Sequence, residues 1–221
     1  EVSVSLGFTT ALSFHDTVDG LTVLDTASGL YNDSYYWRVR GVDNLGNIGP
    51  WSDTDGFVID TNVNQVTLSL PATGHETTTH QPVVTWQSIS DSVSMDSYVV
   101  DVQNNLAFTG AEVFNDTLDA GNTRDTITNL YNDTYYWRVR AIDELSNVGP
   151  YSETRGFIVD TDVDQVSLSQ PADDHQTNNA QPVVGWSSLG DSVGIDSYIV
   201  EVSIDSEFGS TEYVDTIASP D

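Results

Sequence analysis

The chain repeats itself every 100 residues without a slip: LYNDSYYWRVRGVDNLGNIGPWSDTDGFVIDT begins at Leu30 and LYNDTYYWRVRAIDELSNVGPYSETRGFIVDT at Leu130. The same offset carries QPVVTW at Gln81 to QPVVGW at Gln181 and DSVSMDSYVV at Asp91 to DSVGIDSYIV at Asp191. It also relates EVSV at Glu1 to DVQN at Asp101 and EVSI at Glu201. A constant period of this size means one folded unit copied in line, each copy touching mainly its neighbours. The 221 residues hold two periods and a short overlap.

Within a period, short runs of alternating apolar residues are separated by clusters of Gly, Pro, Asn and Asp, the pattern of strands and turns. The middle copy predicts strands near Val66 to Leu70, Pro82 to Gln87, Ser97 to Gln103, Ala111 to Leu118, Asp125 to Asn129, Thr134 to Asp143 and Gly156 to Asp160. Alternation is clearest from Thr134 to Asp143, where Tyr135, Trp137, Val139 and Ala141 fall on one face and Tyr136, Arg138 and Arg140 on the other. Seven strands and no helix in 100 residues predict an all-β, two-sheet sandwich. A sandwich of this size closes a core without disulfides, and the chain has no cysteine.

Trp86 in the second strand, Tyr98 in the third, and Leu130 followed by Tyr135, Trp137, Val139 and Ala141 resemble the hallmarks of fibronectin type III domains. The phrase YYWRVRAIDELSNVGPYS and its counterpart YYWRVRGVDNLGNIGPWS are similar to tandem repeats of that family in prokaryotic surface proteins and secreted enzymes. The resemblance implies tandem seven-stranded fibronectin type III-like β-sandwiches, with the tryptophan between the sheets and a tyrosine corner at the turn into the sixth strand. Module boundaries are expected after FVIDT and FIVDT. Residues 1–61 then form the C-terminal part of one module, 62–161 a complete module, and 162–221 the N-terminal part of a third. Neither partial module can bury its core alone. The expectation is a window on a longer array, with strand donation between neighbouring subunits as the alternative.

Charge excludes several functions. There are 34 acidic residues against 6 basic ones and no lysine, for a formal charge of -28. Phosphate backbones and anionic lipid heads are recognised by Lys and Arg replacing counterions, so neither a nucleic acid nor a membrane surface is expected as partner. No apolar run approaches the ~20 residues that span a bilayer, and the first residue is Glu1 with no charged-then-apolar leader.

Four of the six arginines are Arg38, Arg40, Arg138 and Arg140, at matching positions on the sixth strand. They are expected to pair with neighbouring acids and stack on Trp51 or Tyr151 as a structural cation-π ladder, an arrangement that resembles the ladders of related receptor modules. The linkers DTNVNQ, with Asp60, Asn62 and Asn64, and DTDVDQ, with Asp160, Asp162 and Asp164, place oxygens at alternate positions between modules. Calcium accepts such ligands, although the spacing is not that of an EF-hand, and the alternative is a solvated acidic linker. Asn32, Asn115 and Asn132 begin glycosylation sequons, relevant if the chain crosses a glycosylating membrane. The four histidines form no metal-spaced pair, and no hydrolase, metalloprotease or nucleotide-binding motif occurs.

These features predict no enzyme and no resident cofactor, with calcium at the joints as the one candidate ion. The expected function is that of a structural repeat region of an extracellular filament, stalk or giant adhesin, placed at the cell surface or outside it. Its expected partners are neighbouring copies or adjacent repeats, with a cell-surface glycan or protein as a further target. The alternative is a spacer or sugar-binding module of a secreted polysaccharide-degrading enzyme.

Overall fold

The computed structural model describes residues 1–218; the last residues of the third module part, 219–221, lie outside the described residues. Among the described residues fifteen strands run in chain order: β1 (Val2–Ser3), β2 (Asp33–Trp37), β3 (Asp55–Ile59), β4 (Leu68–Leu70), β5 (His75–Thr77), β6 (Val83–Trp86), β7 (Met95–Gln103), β8 (Phe114–Asp119), β9 (Arg124–Thr126), β10 (Asp133–Asp143), β11 (Arg155–Val159), β12 (Leu168–Gln170), β13 (Gly185–Trp186), β14 (Ser197–Val202) and β15 (Tyr213–Ala218).

The middle repeat forms two facing sheets, one ordered β4-β6-β9 and the other β5-β11-β10-β7-β8. Their inner faces meet in one core built from Val63 to Val159. β10 shows why: its burial alternates residue by residue, with Tyr135, Trp137, Val139 and Ala141 inward and the arginines between them half-buried. Trp86 and Tyr98 meet edge-on in the centre at 5.6 Å, a favoured arrangement of ring quadrupoles. At the turn into β10 the Tyr135 hydroxyl accepts from the backbone N–H of Tyr131 and donates to its carbonyl, each at 3.1 Å. This tyrosine corner is repeated by Tyr35 on Tyr31 at 3.0 Å.

All seven predicted strands of the middle repeat are present, and β5 adds an eighth. β5 pairs in parallel with β11, His75 opposite Phe157 and Thr77 opposite Val159. The chain leaves β4 at Pro71, which has no N–H to continue the ladder, and crosses to the other sheet. β5 had no signature in the sequence because His75, Glu76 and Thr77 show no apolar alternation.

The flanking parts repeat this geometry as far as their strands allow. β1, β2 and β3 form a three-stranded sheet, and Val2 opposite Trp37 and Ser3 opposite Tyr36 reproduce Val102 opposite Trp137 and Gln103 opposite Tyr136. At the other end β12 pairs with β13 and β14 with β15, in two separate sheets.

Candidate functional site

Two constructions recur at the repeat offset: a ladder on the outer face of the sixth strand and a hydrogen-bonded joint between modules. In the middle module the Arg138 guanidinium lies 3.8 Å from the Tyr151 ring centroid and 3.8 Å from that of Phe108, and Arg140 lies 4.7 Å from Tyr151. Arg138 Nε and Nη2 donate to Asp101 Oδ2 at 3.0 and 2.8 Å. Asp101 is 3% exposed, and a charge buried that deep is costly unless an opposite charge pairs with it. The first part repeats the design: Arg38 lies 4.3 Å from Trp51 and 3.9 Å from Phe8, Arg40 lies 4.2 Å from Trp51, and Arg38 donates to Glu1 Oε2 at 3.1 and 2.8 Å.

Sequence reasoning missed the outer rung, Phe8 and Phe108. Both occupy the left-handed region, at φ 51° and 52°, as does Phe208 at 52°. An aromatic there is uncommon. Since among the described residues no arginine stacks on Phe208, the local turn sets the conformation: each Phe N–H donates to the carbonyl three residues back, at 2.9 to 3.0 Å. The signal was available, because phenylalanine recurs at 8, 108 and 208 and an acid at 1, 101 and 201.

The joint after β3 is centred on Asp60, which is 7% exposed. Its Oδ1 accepts from Asn32 Nδ2 and from the backbone N–H of Asn62, both at 3.2 Å, and its Oδ2 accepts from the Ser92 hydroxyl at 3.1 Å. Its carbonyl accepts from Asn147 Nδ2 at 3.1 Å. Asn32 also donates to Asn62 Oδ1 at 2.6 Å and accepts from the Thr61 hydroxyl at 2.8 Å. The backbone N–H of Asn64 donates to Asp91 Oδ2 at 3.3 Å, and Gln65 Nε2 to the Tyr151 carbonyl at 2.7 Å. Thus Asn32 of the first part, the linker residues Asp60, Thr61, Asn62, Asn64 and Gln65, and two loops of the middle module converge. Gly149 permits the close approach: a Cβ there would stand 3.1 Å from Val63 Cγ1 and 3.3 Å from the Ala141 carbonyl.

The second joint uses the equivalent residues. Asn132 Nδ2 donates to Asp162 Oδ1 and to Asp160 Oδ1, the Thr161 hydroxyl donates to Asn132 Oδ1 at 2.8 Å, and the Ser192 hydroxyl donates to Asp160 Oδ2. The Ser192 hydrogen bond, acting against burial, holds the Asp160 carboxyl below the ordinary range.

The residues expected as calcium ligands fall at these joints. Asp160, Asp162 and Asp164 border one shallow polar hollow with Asn132, Asp191 and Ser192. Among the described residues, no three His, Asp or Glu side chains converge as a metal-binding group. In the first joint Asn62 and Asn64 carry neutral amides at two of the three positions. Of the sequon asparagines, Asn32 and Asn132 have their amides engaged in the joints, whereas Asn115 is exposed on β8, an edge strand.

No protein-family model matches the chain, and no curated protein matches it. Among solved structures it is similar to the crystal structure of chicken CNTN1 FN1-FN3 domains, at 18% identity and a TM-score of 0.38, over 62% of this chain and 46% of that one. The chain therefore spans less than half the length of that structure. The chain's own geometry defines a class: an all-β protein of tandem fibronectin type III-like β-sandwiches with a 100-residue repeat. Among the described residues, no helix is long and apolar enough to cross a membrane.

Proposed function

We propose that this chain is a structural repeat segment of an extracellular filament, stalk or adhesin, in which each module supplies length and each joint fixes the next module's orientation. The modules assigned are 1–61, 62–161 and 162–221, and the partners are adjacent repeats or neighbouring copies. The observation that carries this reading is the joint built twice from the same residue types at one offset: Asn32, Asp60, Thr61 and Ser92, then Asn132, Asp160, Thr161 and Ser192. A spacer needs this. Inter-module contacts that bend freely give a flexible string, whereas several short hydrogen bonds to one linker residue restrict the angle. The ladders fit the same role, because Arg38 and Arg138 are already committed to an acid and rings, and Arg40 and Arg140 to a ring, within the module.

The charge of -28 supports solubility at high density, with self-repulsion that salt screens within about 8 Å at physiological ionic strength. The chain has no cysteine, so a pair can be introduced cleanly for spin labels, one on the first part and one on the middle module. A narrow inter-label distance distribution that broadens in Asn32→Ala is expected. A distribution equally broad before and after that change would overturn the proposal.

A further inference from the structure

The chain enters the middle module through β4 and β5 and leaves it through β11, so tension along the chain acts on the contacts among these three strands. β5 and β11 run parallel, with His75 opposite Phe157, Glu76 opposite Ile158 and Thr77 opposite Val159. Hydrogen bonds flank that pairing on both sides: the Gly74 N–H donates to the Gly156 carbonyl at 2.9 Å and the Asp160 N–H to the Thr77 carbonyl at 3.0 Å. Tension pulls this pair at opposite ends, on the entering side of β5 and the leaving side of β11. The two strands must then slide past each other, which loads their hydrogen bonds together. An antiparallel hairpin pulled at its open ends parts its bonds one after another.

A side chain ties β4 to the same leaving strand. Arg155 opens β11, and its guanidinium crosses to the other sheet: Nη1 donates to the Ser69 carbonyl at 2.8 Å and the Pro71 carbonyl at 3.4 Å, and Nη2 to the Leu68 carbonyl at 3.0 Å. Glu153 Oε1 accepts from Nε at 2.9 Å and from Nη2 at 2.8 Å, which fixes the plane of the fork. Ionised donors make the stronger hydrogen bonds, and these fall on β4, an edge strand with a ladder partner on one side alone. Strand formation at this position does not depend on the arginine. The first part has Asp55 there, and β3 begins at it, opposite Trp37 as Arg155 is opposite Trp137.

We propose that the middle module is a load-bearing latch, in which Arg155 and the parallel pair of β5 and β11 lock the entering strands to the leaving one and set how fast the module opens under tension. The latch rests on the spacer reading only for the premise that load runs along the chain. None of its residues takes part in the hydrogen bonds of the first joint, so label distances across that joint and opening rates of the module succeed or fail separately.

The 221-residue chain has no cysteine, so handles for single-molecule force measurements can be placed at chosen residues. Asn64→Cys with Asp164→Cys directs the load through β4, β5 and β11, whereas His80→Cys with Asn122→Cys directs it through β6, β7 and β8 and leaves the latch out of the path. Arg155→Met removes the donors, and Arg155→Asp installs the residue of the earlier copy. Each is expected to speed opening at constant load by more than about tenfold along the first path, because several charge-assisted hydrogen bonds are lost, and by a clearly smaller factor along the second. A residue that served stability alone would speed both paths alike. A smaller change along the first path, or an equal change along both, would overturn the proposal.

Discussion

Trp37 and Trp137 occupy one position in two copies of the same strand, which makes their removal a controlled experiment. Trp137 is 0% exposed at the centre of the core. A buried indole removes about 200 Å² from water, worth about 5 kcal/mol at ~25 cal/mol per Å², the upper end of what Trp→Ala costs in cores. That approaches the whole stability of a small domain, about 5 to 15 kcal/mol. Trp37 is 43% exposed, so the area lost is little more than half, at most about 3 kcal/mol by the same coefficient. Its face is open, so no enclosed cavity remains to add its own cost. In urea titrations followed by far-ultraviolet circular dichroism, Trp137→Ala is expected to abolish or sharply advance the main transition. Trp37→Ala is expected to leave that transition in place, at concentrations where the chain is monomeric. The reasoning fails if the two variants shift the main transition equally, or if Trp137→Ala costs under about 1 kcal/mol.

Gly149→Ala forces a Cβ to 3.1 Å from Val63 and is expected to cost about 1 to 3 kcal/mol by overpacking, whereas Gly49→Ala meets only a carbonyl at 3.5 Å and should be near neutral in a thermal melt. Arg138→Gln leaves the buried Asp101 carboxylate unpaired, an expected loss of about 3 kcal/mol that a second change, Asp101→Asn, should partly restore in a double-mutant cycle. Asp125 has its pKa raised, mainly by burial and further by Asp116, and its Oδ2 has no hydrogen-bond partner. A raised carboxyl pKa means that ionisation opposes folding, so Asp125→Asn is expected to raise the melting temperature at neutral pH. The gain should vanish as pH falls through the raised pKa; a gain independent of pH would contradict the assignment. Chelation with EDTA is expected to leave melting unchanged, since Asn132 and Ser192 already occupy oxygens of Asp162 and Asp160. A fall in melting temperature would instead support calcium held by the oxygens of the joint.

Much of the fold was legible because alternation and repetition are linear properties. The 100-residue offset, the inward set Tyr135, Trp137, Val139 and Ala141, and the pairing of each strand-six arginine with Trp51 or Tyr151 all follow from spacing along the chain. What spacing does not encode is contact between segments that carry no pattern. β5 is polar and forms because the chain passes beside the free edge of β11. Phe108 reaches Arg138 only because its turn holds φ at 52°. Gly149 matters for the approach of Val63, 86 residues earlier.

The sequence by itself determined the repeat, the all-β class and which side chains face inward, for these depend on period and residue type alone. Only the tertiary structure decided how far each strand runs. DSYYWRVRGVD and DTYYWRVRAID differ at three positions, yet β2 stops at Trp37 after five residues while β10 continues to Asp143 for eleven. The reason lies across the sheet. From Val139 to Asp143, β10 has the residues from Met95 to Val100 as its ladder partners, whereas among the described residues the strand beside β2 on that side, β1, pairs only with Tyr36 and Trp37. A backbone N–H or C=O becomes part of a sheet only when another chain segment answers it, and no residue can supply that from its own position.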